Sequence, residues 1–212
     1  GTSALAAVVA ALEANPHPKV VFLETPTNPT LQVTDIAAVS ALVKSQSPET
    51  VVVVDNTFAT PALQRPLSLG ADVVVHSTTK YLSGHGTVVG GVMTTTRDDV
   101  KERAYTIIKD VGSSPSPFDA WLVNTGVKTL PLRMERHCSN AMRIARFLDE
   151  HDKVERVYYP GLSGSPYFQL AARQMGGRFG GMVSFEVVGG LEAGRRLMDD
   201  IRIFTLAVSL GC

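Results

Sequence analysis

Val51-Val52-Val53-Val54-Asp55-Asn56 is an unbroken β-branched run that ends on a carboxylate and an amide. Such side chains favour a pleated backbone, and an uninterrupted apolar run predicts a strand covered on both faces, as in a parallel sheet. Downstream, Ala71-Asp72-Val73-Val74-Val75-His76 repeats the pattern and delivers Ser77-Thr78-Thr79-Lys80-Tyr81. Upstream, Lys19 to Leu23 reads as a buried strand ending at Glu24. Helical signals lie between these runs. Ser3 is a plausible cap for a helix to Ala14, stopped by Asn15-Pro16. Thr34-Asp35 opens a second helix, with Ile36, Val39, Ala41, Leu42 and Val43 as its apolar set and Ser47-Pro48 as its end. A short segment through Pro61 and Leu69 stops at Gly70. This β-α-β-α-β order predicts an α/β fold with a mostly parallel sheet flanked by helices.

Past Lys80 the texture changes. Thr87 to Thr95 is glycine-rich yet β-branched, which predicts another strand with close backbone approaches at Gly84, Gly86, Gly90 and Gly91. Arg97 to Asp110 reads as a helix and Ser113 to Pro117 as a rigid loop. From Phe118 to about Glu150 a single long helix is expected, with Cys138, Ala141, Met142, Ala145 and Leu148 on one stripe and Arg136, Arg143 and Arg146 on a solvated face. Then come a strand (154–159), a helix (167–175), a strand (182–188) and a helix (191–200). Residues 1–150 are therefore expected to form part of a large domain with its connecting helix. Residues 151–212 would begin a smaller α+β domain.

Composition narrows the function. The chain has 212 residues and 44% hydrophobic content, enough for a sizeable core. Twenty basic and twenty acidic residues cancel, so no charge field points to nucleic acid or an anionic membrane, and a small molecule is the expected partner. Cys138 and Cys212 have neither metal-ligand nor redox spacing, which suits free thiols in a reducing compartment. No apolar run approaches the length of about 20 residues that spans a membrane, and Gly1 to Ala14 lacks a signal pattern, so a cytoplasmic enzyme is expected. His17, His76, His85, His137 and His151 show no metal-binding spacing, and no metal is expected. Gly161-Leu162-Ser163-Gly164-Ser165 misses the last glycine of a hydrolase elbow, and Gly84-His85-Gly86 lacks the third glycine of a dinucleotide loop.

In open α/β sheets ligands sit beyond the carboxyl ends of the strands, so side chains that directly follow apolar runs are the ones to weigh. Asp55, Lys80 and the loop Thr25-Pro26-Thr27-Asn28-Pro29 all qualify. An amine able to act as a nucleophile and a carboxylate that stays ionised beside a cofactor cation are the two groups a pyridoxal phosphate (PLP) site needs. Ser77 and Thr79 could donate to a phosphate without adding charge. Each residue alone has a plainer reading: Lys80 a solvated cap, Asp55 a turn residue, Ser77 and Thr79 loop hydroxyls. Spacing alone leaves both readings standing.

Seven segments, in order along the whole chain, carry a resemblance. They are E-T-P-T-N-P-T (Glu24 to Thr30), V-V-V-V-D-N-T-F (Val51 to Phe58), Q-R-P-L-S-L-G-A-D (Gln64 to Asp72), H-S-T-T-K-Y-L-S-G-H-G (His76 to Gly86), T-G-V-K-T-L-P-L-R-M-E-R-H (Thr125 to His137), Y-P-G-L (Tyr159 to Leu162) and L-A-V-S-L-G (Leu206 to Gly211). Together they resemble the Cys/Met-metabolism family of PLP enzymes, which includes methionine γ-lyase, cystathionine lyases, cystathionine γ-synthase and acylhomoserine sulfhydrylases. The resemblance implies PLP fold type I with an aspartate aminotransferase-like large domain. It implies Lys80 as the Schiff-base lysine, Asp55 as partner of the pyridine nitrogen, and Ser77 and Thr79 as phosphate-binding hydroxyls. Asn28 would stand beside the cofactor's ring oxygen and the substrate carboxylate. Ser209 would belong to the carboxylate site, with Val208 beside it.

Family members are roughly twice as long, so the chain resembles a piece of one. It lacks their upstream phosphate loop, their ring-stacking tyrosine, the Tyr/Arg pair lent by a neighbouring subunit and the late substrate-clamping arginine. By itself it is expected to bind PLP weakly and turn over little, and an inactive piece that serves only subunit packing is the non-enzyme alternative. The resemblance further implies a sulfur amino acid substrate and a homo-oligomer, a dimer of dimers. Val208 stands where cystathionine-handling members often carry glutamate. A valine offers nothing to a distal ammonium and suits an apolar thioether, which favours γ-elimination from methionine. Ser114 to Asp119 (S-P-S-P-F-D) resembles cystathionine γ-lyases and γ-synthases instead. Thr87 replaces an aspartate, and Thr125 an arginine, of many relatives.

Overall fold

A computed structural model describes residues 2–211. Four strands form the main sheet in the order β1 (Val20–Glu24), β2 (Val51–Asp55), β3 (Val73–Ser77) and β4 (Gly91–Thr95). The first three are parallel and β4 is antiparallel to β3, so the sheet is mostly parallel, as expected. The crossovers run through α2 (Ile36–Gln46) and then α3 (Thr60–Leu63) with a 3-10 turn over Pro66–Leu69. Asp35 caps α2 by accepting the Ala38 N–H at 3.0 Å, and Gly70 ends the 3-10 turn at φ 94°, a conformation glycine adopts freely. Helix α1 (Thr2–Ala14) starts one residue before Ser3, which therefore lies inside it and is not its cap.

The valine run is covered on one face only. Val52 and Val54 are fully buried against Leu12, Ile36, Val39 and Val43 of α1 and α2. Each such burial stabilises by roughly 1.5 kcal/mol or more. On the opposite face Val20 is 51% and Phe22 60% exposed, and Val51 and Val53 are half-buried. Strand register places Glu24, Asp55 and Val75 side by side on this open face.

Two further expectations are corrected. Only Gly91–Thr95 of the run from Thr87 forms a strand, because the Gly90 backbone turns to Thr78 and Thr79. The expected helix from Phe118 to Glu150 is two helices, α5 (Pro117–Val127) and α6 (Leu130–Asp149), after α4 (Asp98–Asp110). Pro131 supplies no N–H to the preceding turn and clashes with it, so one helix ends at Val127 and another begins. On α6, Cys138, Ala141 and Ala145 are buried, Met142 and Leu148 are half-buried, and Arg136, Arg143 and Arg146 are exposed.

Beyond α6, β5 (Val154–Tyr158) and β6 (Ser184–Val187) pair antiparallel as a second sheet, with α7 (Phe168–Gln174) between them and α8 (Gly190–Asp200) after. Leu170, Ala171, Met175 and Phe179 share a core with Met134 and Cys138 of α6, Val33, Leu63, Tyr81 and Leu82. This core sits at the carboxyl end of the main sheet and anchors the turn that follows β3. No helix of the described residues is long and apolar enough to cross a membrane.

Candidate active site

Residues Thr78–Leu82 form a tight turn at the end of β3, and Lys80 departs from helical geometry within it (φ −90°, ψ −139°). The turn is pinned from both sides. Thr78 N–H donates to Gly90 O at 2.9 Å, and Thr79 Oγ1 accepts the Gly90 N–H at 3.0 Å. Ser83 and Gly84 N–H groups close it onto Thr78 O and Lys80 O. Arg133 of α6 reaches across, donating to Tyr81 O and Gly126 O at 2.8 Å each and to Thr129 Oγ1 at 3.0 Å. Burial lowers the Arg133 pKa from its usual value.

A cleft of about 230 Å³ opens at the carboxyl ends of β1, β2 and β3. Lys80, Asp55, Ser77, Asn28 and Val208 line it together. Asp55 Oδ1 accepts the Thr57 N–H at 2.9 Å, and the Thr57 hydroxyl oxygen accepts the Ser77 N–H at 2.9 Å, so the two strand ends are tied beneath the cleft. The Asn28 N–H donates to Glu24 Oε1 at 3.1 Å, which fixes the loop that carries Asn28. Two sequence candidates stand apart. Thr79 is turned onto Gly90, and exposed Ser209 is not part of the lining although its neighbours Val208 and Leu210 are. Gly211 packs over the lysine turn, where an added Cβ would lie 3.0 Å from Lys80 Cβ.

Glu24, Thr57 and Phe58 also line the cleft and were not singled out from the sequence. Two-residue alternation could have found Thr57, which follows Asp55 at the same-face spacing, and register with Asp55 exposes Glu24. Below the cleft, burial pushes the His76 imidazole down from its ordinary value, against the opposing pull of the Asp55 charge. Among the described residues no group of three or more His, Cys, Asp or Glu side chains could hold a metal ion. The group set fits pyridoxal phosphate: the Lys80 amine, the Asp55 carboxylate on the same cleft with Glu24 turned to the Asn28 N–H, and hydroxyl and amide groups around them.

Residues 2–212 match the model of the family described as Cys/Met metabolism PLP-dependent enzyme. The chain is 49% identical over 197 residues to an L-methionine gamma-lyase of Treponema denticola, a match covering 92% of this chain and 49% of that protein. It is 50% identical over 196 residues to a cystathionine gamma-synthase of Mycobacterium tuberculosis, covering 92% and 50%. The crystal structure of cystathionine gamma synthase from Xanthomonas oryzae pv. oryzae in complex with cystathionine superposes with a TM-score of 0.90 at 45% identity, over 100% of this chain and 52% of that one. The chain spans about half the length of the relatives it matches.

Proposed function

Because the chain belongs to the Cys/Met-metabolism family of PLP-dependent enzymes, we propose that the protein built on it is a carbon–sulfur lyase that eliminates the γ-substituent of a sulfur amino acid, giving an α-keto acid, ammonia and a thiol. The observation that carries this reading is the common cleft of Lys80, Asp55, Ser77, Asn28 and Val208. Bound PLP supplies an electron sink next to the amino acid's α-carbon. Lys80 holds the cofactor through its amine and moves the proton at the α-carbon. Asp55 keeps a proton on the pyridine nitrogen by its charge. Ser77 and Thr79 serve the phosphate, Thr79 by turning its hydroxyl from Gly90 to the bound group. Asn28 and Ser209 orient the substrate carboxylate. Val208, on the cleft wall, presents methyl groups to the distal part of the substrate and offers no charge to an ammonium there. The same reading takes residues 1–150 as part of the cofactor domain and 151–212 as the start of a smaller one, in a cytoplasmic dimer of dimers.

γ-Replacement, as in a cystathionine γ-synthase or an acylhomoserine sulfhydrylase, is the second reading, favoured by the equal identity to a named γ-synthase. Borohydride treatment of the full-length protein with PLP is expected to fix the cofactor on Lys80, and a Lys80→Ala variant to take up none. Label absent from Lys80 would sink the site. Incubation with methionine is expected to release α-ketobutyrate. If cystathionine releases it and methionine does not, the weight placed on Val208 is wrong. If only an acylhomoserine plus a thiol gives product, replacement is the reaction.

A further inference from the structure

On the face of the sheet away from the cleft, three side-chain amides and an imidazole form a chain whose polarity is fixed at every link. Gln174 of α7 accepts the Ile36 N–H on Oε1 at 3.1 Å, so its Nε2 is the atom that donates to Thr34 O at 3.1 Å and to Gln64 Oε1 at 2.7 Å. With that oxygen taken, Gln64 Nε2 donates to Thr25 O at 3.1 Å and to Asn56 Oδ1 at 2.9 Å. Asn56 Nδ2 then donates to Gln64 O at 3.0 Å and to His76 Nε2 at 3.1 Å. Turning over either the Asn56 or the Gln64 amide would set donors against donors and oxygen against carbonyl, in surroundings where Thr25, Asn56 and Gln64 are fully buried. His76 Nε2 is therefore bare, and the neutral ring carries its proton on Nδ1.

This chain brackets Asp55. On one side Thr25 donates its N–H to Asp55 O at 3.3 Å while Gln64 holds the Thr25 carbonyl. On the other, Asn56 directly follows Asp55, donates its N–H to Val75 O at 2.9 Å, and has its side chain clamped by Gln64 and His76. Gln64 thus grips both neighbours of the carboxylate's rung, and Gln174 grips Gln64 from a helix 110 residues further along the chain.

We propose that Gln174, Gln64, Asn56 and His76 are positioning residues for Asp55, through which helix α7 sets the aim of that carboxylate at the cofactor's pyridine nitrogen. The inference rests on the reading of Asp55 given above. None of the four lines the cleft; they hold the two backbone segments on which the carboxylate stands. A buried amide network with all its partners filled has one arrangement, and losing a link frees the rest.

The test uses the full-length, PLP-loaded protein. Gln174→Leu removes the link from α7, and Gln174→Glu keeps the length and the bond from Ile36 while losing the donor, so it carries the test should the leucine variant not fold. Expected for either are a PLP dissociation constant raised about tenfold, a shifted pH titration of the bound cofactor's visible absorbance, and kcat lowered about tenfold with KM little changed, the scale of one lost hydrogen bond. Neutron diffraction of the unmodified protein is expected to show a deuteron on His76 Nδ1 and none on Nε2. A deuteron on Nε2, or variants whose cofactor titration, affinity and kcat match the parent while only melting changes, would overturn the inference. Failure of the unmodified protein to take up PLP at Lys80 is a different result: it sinks the reading of the site and this inference with it.

Discussion

Arg133 shows what a single side chain contributes here without entering the cleft. Its guanidinium spends its donors on Tyr81 O, Gly126 O and Thr129 Oγ1, joining the lysine turn to the junction of α5 and α6. Replacing it with leucine removes all three of these hydrogen bonds, although Gly126 O keeps the Thr129 N–H at 3.2 Å, and a cost of about 1–3 kcal/mol is expected in denaturant unfolding. Arg133→Lys is expected to recover little, because one ammonium cannot reproduce a planar fork of donors. Full recovery by lysine would show that charge rather than geometry holds the turn. The sequence made Asp55 and Lys80 legible because each follows an apolar run at a strand end, where chemistry belongs. Arg133 was hidden for an equally physical reason: its partners are backbone carbonyls brought from other segments, which no spacing rule records.

Among the elements, α5 approaches the lysine turn so closely that Gly126 has no room for a side chain. A Cβ there would lie 2.2 Å from Ser83 O and 2.8 Å from Leu82 O, both backbone atoms that cannot step aside. Gly126→Ala is expected to destabilise by about 1–3 kcal/mol or more and to displace the turn that carries Lys80. Gly194, inside α8, has nothing within 4 Å of its added Cβ. Gly194→Ala is expected to stabilise by about 0.5–1 kcal/mol, since alanine loses less backbone entropy in a helix. Equal thermal shifts for the two would contradict the close packing of α5. Element types were readable from periodicity and turn residues, down to Asp35 as cap and Gly70 as stop. The break at Lys128–Thr129 was also written, in Pro131, but the apolar stripe of α6 masked it. The loss of Thr87 to Gly90 from the strand was not, because it depends on Gly90 serving Thr78 and Thr79 across the chain.

At the scale of the molecule, the valine run promised a sheet covered on both sides, and the structure covers one. Local sequence reports that strand residues want burial; it does not say which segment provides it. Val20 and Phe22 remain 51% and 60% exposed on the open face. Produced as these 212 residues, the chain is expected to self-associate with rising concentration, and Val20→Thr with Phe22→Thr to reduce that association several-fold in light scattering. Undiminished association of the double variant would place the sticky surface elsewhere. Because strand alternation sets Val51, Val53 and Asp55 on one side of the same ribbon, any body that shelters the valines also dries the space above the carboxylate and strengthens its pull on a nearby cation. Hydrophobic assembly and the force of that one negative charge are thus a single variable, and a weakened cover would show first as a softened electric field, before any strand came loose.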